Sequence, residues 1–129
     1  DKIVVSEFDG FDKERNKGTL KATGDWILQL DADEIVTNEF KERLLKILSG
    51  DDEGNVSFKF RRKNIFLNKT MMHGGWYHYS AHMFKKGFAS YKGDIHEKLI
   101  VNGKQGVIEE GVEHYPFHSL TEFVDRKNR

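Results

Sequence analysis

The feature that most constrains this chain is an apolar run that ends abruptly in acid. Trp26-Ile27-Leu28-Gln29-Leu30 is followed at once by Asp31-Ala32-Asp33-Glu34. A short, nearly continuous apolar run reads as a strand buried on both faces of a parallel sheet. The acidic tetrad then falls at the carboxyl end of that strand. Thr37 or Asn38 can cap the helix that follows, in which Phe40, Leu44, Ile47 and Leu48 recur at helical spacing until Ser49-Gly50.

The flanking segments extend this pattern. Ile3-Val4-Val5 is β-branched and predicts a buried strand, broken at Gly10, with a weak helix over 12–23 closed by Gly24. Beyond the polar turn 51–55, Val56, Phe58 and Phe60 alternate with Ser57, Lys59 and Arg61, a strand with one wet face. Residues 68–79, rich in glycine, aromatics and histidine, follow neither period and read as a functional loop. Short strands are expected over 81–84, 98–101 and 107–109, with a turn at Asn102-Gly103 and a last helix from Ser119. The order strand, helix, strand, helix and then several strands predicts an α/β sandwich with a mixed sheet, which binds ligands at strand carboxyl ends.

Composition narrows the function classes. The 129 residues suit one domain, read as 1–129, with a modest core given 37% hydrophobic residues. Lys plus Arg (21) equals Asp plus Glu (21), so no net field points to nucleic acid. The absence of cysteine removes disulfides, thiolate zinc sites and cysteine nucleophiles, and accords with a reducing cytoplasm. No apolar run approaches the ~18 residues of a membrane span. The chain starts at Asp1 rather than methionine and enters an apolar segment almost directly, so it is expected to be a fragment of a longer protein.

Asp31 and Asp33, one residue apart, can project to the same side of an extended backbone and share a cation. Magnesium or manganese would take one or two such carboxylates and leave positions for water and phosphate oxygens. Two other readings compete at this point. The tetrad can be a solvated strand-to-helix loop that complements the helix dipole. Haloacid dehalogenase-like phosphatases also place a nucleophilic and an acid/base aspartate after an apolar strand, although Ile35 stands where they usually carry Thr or Val.

Taken together, Lys13-Glu14-Arg15-Asn16-Lys17-Gly18, Gly24-Asp25-Trp26-Ile27-Leu28 and Leu30-Asp31-Ala32-Asp33-Glu34 resemble the central part of family 2 glycosyltransferases in order and spacing. Gly75-Trp76-Tyr77, Met83-Phe84-Lys85, His96-Glu97-Lys98-Leu99 and His114 resemble the subgroup related to lipopolysaccharide core glycosyltransferases. The resemblance implies a GT-A type, nucleotide-diphospho-sugar transferase-like fold, here without the first strand and helix that hold the nucleotide base. It implies an inverting, metal-dependent transfer from a nucleotide-sugar donor to a cell-envelope glycan or glycolipid. It places the parent in the cytoplasm, at the inner face of the membrane.

The same resemblance distributes roles. Asp33 and Asp31 would bind the metal, manganese or magnesium, or the donor ribose, and Arg15 and Asn16 would line the donor site with Asp31. Inversion needs a base for the acceptor hydroxyl, and Glu97 is the candidate. His96-Glu97 does not open a zinc-protease helix, because Ile100 replaces the second histidine of H-E-x-x-H. His114 is a candidate metal or diphosphate ligand, with a buried structural histidine as the alternative. His73, His78 and His82 lack the close, rigid spacing of a zinc framework. Trp76 and Tyr77, with Tyr79, could stack on an acceptor sugar or fold onto the core. The non-enzymatic alternative is a piece that binds glycan or manganese, or forms a homodimer through an open sheet edge.

Overall fold

A computed structural model describes residues 2–93, 97–117 and 119–127. His96, quoted above, lies outside the described residues. The elements are α1 (Phe11–Lys21), β1 (Trp26–Leu28), β2 (Glu34–Val36), α2 (Asn38–Leu48), β3 (Ser57–Phe66), β4 (Lys69–Thr70), β5 (Tyr77–Lys85), β6 (Ala89–Lys92), β7 (Lys98–Val101), β8 (Gln105–His114) and α3 (Leu120–Lys127).

The sheet runs β1-β5-β3-β8-β2, with β4 extending β3 and a separate β6-β7 hairpin. The β3-β8 pair is parallel and the others are antiparallel. The mixed α/β expectation is therefore met, although the parallel pair at its centre is not the one the apolar run suggested. β1 is an antiparallel edge strand against β5, with Trp26 opposite Lys85 and Leu28 opposite Met83. Its run is apolar because both faces are covered all the same: Trp26 and Leu28 pack toward α2, and Ile27 packs toward the hairpin.

Those two packings make the core. On one face, Phe40 and Ile47 of α2 meet Phe58, Phe60, Met83, Ile108 and Val112, with the Phe40 and Phe60 rings 4.8 Å apart. On the other, Ile27 and Phe84 meet Tyr91, with Ala22, Ala89 and Leu99 packed around them. Met83 and Phe84 serve opposite faces because neighbouring strand residues point opposite ways. Leu48 belongs to neither cluster and is 56% exposed, so the apolar stripe of α2 ends one position sooner than its sequence spacing suggests.

Thr37 fixes the start of α2. Its Oγ1 accepts from the Phe40 amide at 3.2 Å and donates to the Gly111 carbonyl at 2.9 Å, joining helix cap to β8. Thr37→Ala should lower stability by about 1–2 kcal/mol, and Thr37→Ser by much less, in urea unfolding.

Two expectations are corrected. Ile3 and Val5 are each 89% exposed and form no strand, because no strand among the described residues lies beside them to pair their backbone. Residues 77–79, read as loop, are the first rungs of β5, where Tyr77 pairs with Lys63 and Tyr79 with Arg61. Long-range pairing supplies the regularity that the local sequence lacks.

Candidate functional site

The tetrad leaves the sheet just after Gln29 donates to the His82 carbonyl. The Glu34 amide donates to the Asp31 carbonyl at 3.1 Å, and the Glu34 side chain turns back to accept from the Asp31 amide at 2.9 Å. That carboxylate is only 2% exposed and lies 2.9 Å from Arg62 Nε. The angle at Arg62 Nε is poor for a hydrogen bond, so this contact is better described as an ion pair. Glu34 is thus the buttress that fixes the turn.

With the turn fixed, Asp31 and Asp33 face different partners. Asp31 Oδ1 accepts from Arg15 Nη2 at 3.2 Å, and Asp31 Oδ2 lies 3.4 Å from Arg62 Nη2. Arg15 Nε also donates to Glu97 at 3.0 Å. Burial works against the charge on Arg15, but Asp31, then Tyr91 and Glu97, outweigh it and raise its pKa. The structure therefore gathers Arg15, Asp31 and Glu97 from a helix, a turn and the residue just before β7.

Asp33 looks the other way, toward a cleft of about 290 Å³ lined by Ala32, Asp33, Ile35 and Tyr115. Its Oδ2 lies 3.1 Å from His114 Nε2. His114 Nδ1 meets Asn64 Oδ1, and the Asn64 amide donates to the Trp76 carbonyl. A line of polar contacts thus runs from the tetrad through β8 and β3 to the foot of β5.

Among the described residues no three His, Cys, Asp or Glu side chains are grouped to hold a metal. Asp31 does not fit as a ligand in this arrangement, since both its oxygens are held by arginines. Asp33 and His114 do fit a two-ligand site: one carboxylate oxygen and one imidazole nitrogen converge, and the Asp33 side chain is 43% exposed. Magnesium-type sites of this kind are completed by water and substrate phosphates.

The remaining sequence candidates are placed as follows. Asn16 spends both ends of its amide on the Tyr91 backbone, donating to its carbonyl at 2.8 Å and accepting from its amide at 2.9 Å. Trp76 lies with Phe66, Met71 and Phe117 around a small apolar pocket. Tyr77 is elsewhere: the Arg61 guanidinium sits 4.5 Å from its ring centre and 4.3 Å from that of Tyr79, anchored by Glu109. The two acceptor candidates do not share one surface.

Arg62 and Tyr91 escaped the sequence reading, and His82 entered it only as a zinc candidate set aside for its spacing. Arg62 had one signal, an arginine on a strand whose other core-side residues are Phe58 and Phe60. His82 and Tyr91 had none, because their pairing at 2.9 Å depends on a separate hairpin docking on β5. Burial first, then Arg15, pushes the His82 imidazole down to about 4, while burial raises the Tyr91 phenol. The neutral imidazole shares one hydrogen bond with the Tyr91 hydroxyl.

The His82 shift has a measurable sign. Between pH 6.5 and about 4 the unfolded chain takes up a proton that folded His82 refuses. Stability therefore falls as pH is lowered through that window, by up to about 3 kcal/mol, and is unaffected by this group above it. The stability difference between the chain and its His82→Gln variant should shift by that amount across the window, measured by urea unfolding at several pH values.

A family model described as glycosyl transferase family 2 matches residues 2–104. The matched stretch holds Arg15, Asn16, the tetrad, Trp76, Tyr77 and Glu97, and ends just before the strand that carries His114. The mixed sheet with helices is consistent with a GT-A-like nucleotide-sugar transferase fold. An antiparallel edge strand before Asp31, and arginines on both its oxygens, give the phosphatase alternative no support. On the match over most of its length, this chain belongs to glycosyl transferase family 2.

Proposed function

We propose that this chain carries the central part of the catalytic domain of an inverting glycosyltransferase, acting on a nucleotide-sugar donor and a cell-envelope glycan or glycolipid. The observation that carries the reading is the meeting of Arg15, Asp31 and Glu97, far apart in sequence, beside the tetrad. The subgroup related to lipopolysaccharide core synthesis is part of the proposal, as is action from the cytoplasmic face of the membrane.

In the proposed reaction an acceptor hydroxyl oxygen attacks the anomeric carbon, the bond from that carbon to the donor phosphate breaks, and a nucleoside diphosphate leaves. Glu97 takes the hydroxyl proton, and Arg15 holds that carboxylate toward the donor. Arg15 also offers the leaving diphosphate a fixed positive charge. Asp33 and His114 would hold a manganese or magnesium ion, which when bound stabilises charge on the leaving group. Trp76, beside its apolar pocket, is the better placed of the two aromatic candidates for an acceptor sugar, since the Tyr77 ring is covered by Arg61.

The test sets two chemistries side by side. With manganese and a panel of nucleotide sugars, the chain should release nucleoside diphosphate when offered an acceptor glycan. With magnesium and a generic phosphomonoester it should show no turnover. Phosphomonoester turnover abolished by Asp31→Asn would replace this reading with the phosphatase one.

A further inference from the structure

The position of Glu97 is not set by the main sheet. It lies just before β7, and among the described residues the β6-β7 hairpin shares no strand pairing with the sheet that carries the tetrad. Sheet register therefore cannot bring Glu97 to Arg15. Something else must seat the hairpin against α1.

Tyr91 has the contacts for that task. It is 2% exposed and pairs across the hairpin with Leu99, two residues beyond Glu97. Its backbone is bracketed by the Asn16 amide, which imitates a strand neighbour by donating to the carbonyl and accepting from the N–H. Its hydroxyl reaches His82 Nδ1 on β5 at 2.9 Å. Its ring packs on Phe84, with centroids 6.1 Å apart, and the Arg15 guanidinium sits over the ring at 5.5 Å. One side chain thus touches α1, β5 and the cation that holds both Asp31 and Glu97.

Asn16 and Arg15 are neighbours on α1, a helix with no buried residue of its own. An unburied helix has little packing to fix its rotation or its distance from the sheet. The pair of bonds from Asn16 to Tyr91 supplies that constraint next to Arg15.

We propose that Tyr91 is a positioning residue for the transfer site, clamped by Asn16 and His82 so that its ring supports Arg15 while its hairpin delivers Glu97. The functional part of this assignment rests on the proposed transferase reading. It gives Asn16 a docking role in place of direct contact with the donor. The ring and the backbone bonds from Asn16 matter more than the hydroxyl bond to His82, because the ring makes the contact with Arg15.

The experiment is an NMR measurement on the full chain, following solvent exchange of the Arg15 Nε–H, identified by its loss in Arg15→Lys, and of the Tyr91 amide. Asn16→Ala removes no fully buried side chain from α1, so the chain should stay folded. Both signals should exchange about tenfold faster in that variant, the loss expected for removing single hydrogen bonds. Amides of β3 and β5 should keep their native rates. Tyr91→Leu should accelerate the Arg15 signal at least as much, and Tyr91→Phe should leave it within about threefold.

Unchanged Arg15 exchange in Asn16→Ala would overturn the proposal, whatever Tyr91→Leu does. So would uniform acceleration across β3 and β5, which would mark Asn16 as a support of global stability only. Calorimetry with a nucleoside diphosphate separates the two claims. If the unmodified chain binds none while the Arg15 signal responds as stated, the seating of Arg15 by Tyr91 stands and its part in transfer does not.

Discussion

Gly111→Ala is expected to lose more than about 4 kcal/mol, a large part of the 5–15 kcal/mol that holds a domain of this size together. Gly111 lies on β8 opposite Arg61 of β3, just where the register of the parallel pair shifts. A methyl group there would sit 1.7 Å from the Arg61 carbonyl oxygen and 2.5 Å from its carbon. Both are backbone atoms, so no side chain can rotate away, and β8 would have to leave β3 at the centre of the sheet. The same carbonyl of Gly111 receives the Thr37 hydroxyl, so the seat of α2 would move as well. Gly18→Ala is the control. It lies inside α1 with nothing within 4 Å of the added carbon, and should gain about 0.5–1 kcal/mol. Urea unfolding of the two variants reads both signs, and a Gly111→Ala chain within about 1 kcal/mol of the original would disprove the β3-β8 register.

The second large effect is on chemistry. On the proposed function, Glu97→Gln should lower transfer by about 10²–10⁴ in kcat, the range for a missing general base, with donor KM changed by less than about threefold. The substitution suits the geometry, because a glutamine oxygen can still accept from Arg15 Nε at the position Glu97 now holds. Placement is kept and proton acceptance is lost. Single-turnover transfer measured against donor concentration separates the two constants. Normal kcat in the variant would remove Glu97 from the mechanism, and a raised KM with normal kcat would make it a donor-binding group instead.

What the sequence revealed followed how local each signal was. α2 could be read to within a residue because its cap, Thr37, and its apolar spacing, Phe40 to Ile47, lie within one short segment. β7 was read over the same residues the structure gives, Lys98–Val101. The Trp26 run was rightly a strand but wrongly a parallel one, since an apolar run reports covered faces and not the direction of its neighbour. Ile3 to Val5 carries the same composition as a strand and forms none, because composition cannot supply a partner. β6 went unread: Ala89 and Tyr91 alternate with Ser90 and Lys92, but four residues are too few to stand out.

The site was legible by the same measure. The tetrad and Arg15 sit in short stretches that resemble a known family, and the structure brings Arg15 to Asp31. The division of labour within the tetrad was hidden. Alternation suggested that Asp31 and Asp33 could share a cation, but the Glu34 carboxylate folds back and closes a turn, and a turn does not keep the strand's alternation. His82 and Tyr91 reach the site across sheet and hairpin pairings, so no spacing along the chain announces them.

On the proposed function the tetrad serves two sets of partners, with Asp33 and His114 set apart for the metal. This division is tested most directly by calorimetric titration of nucleotide sugars into the chain with and without manganese, repeated for Asp33→Ala. At least one nucleotide sugar should bind, manganese should tighten this binding, and Asp33→Ala should abolish the manganese effect while keeping the metal-free affinity within about threefold. Manganese-dependent binding that survives Asp33→Ala unchanged would contradict it.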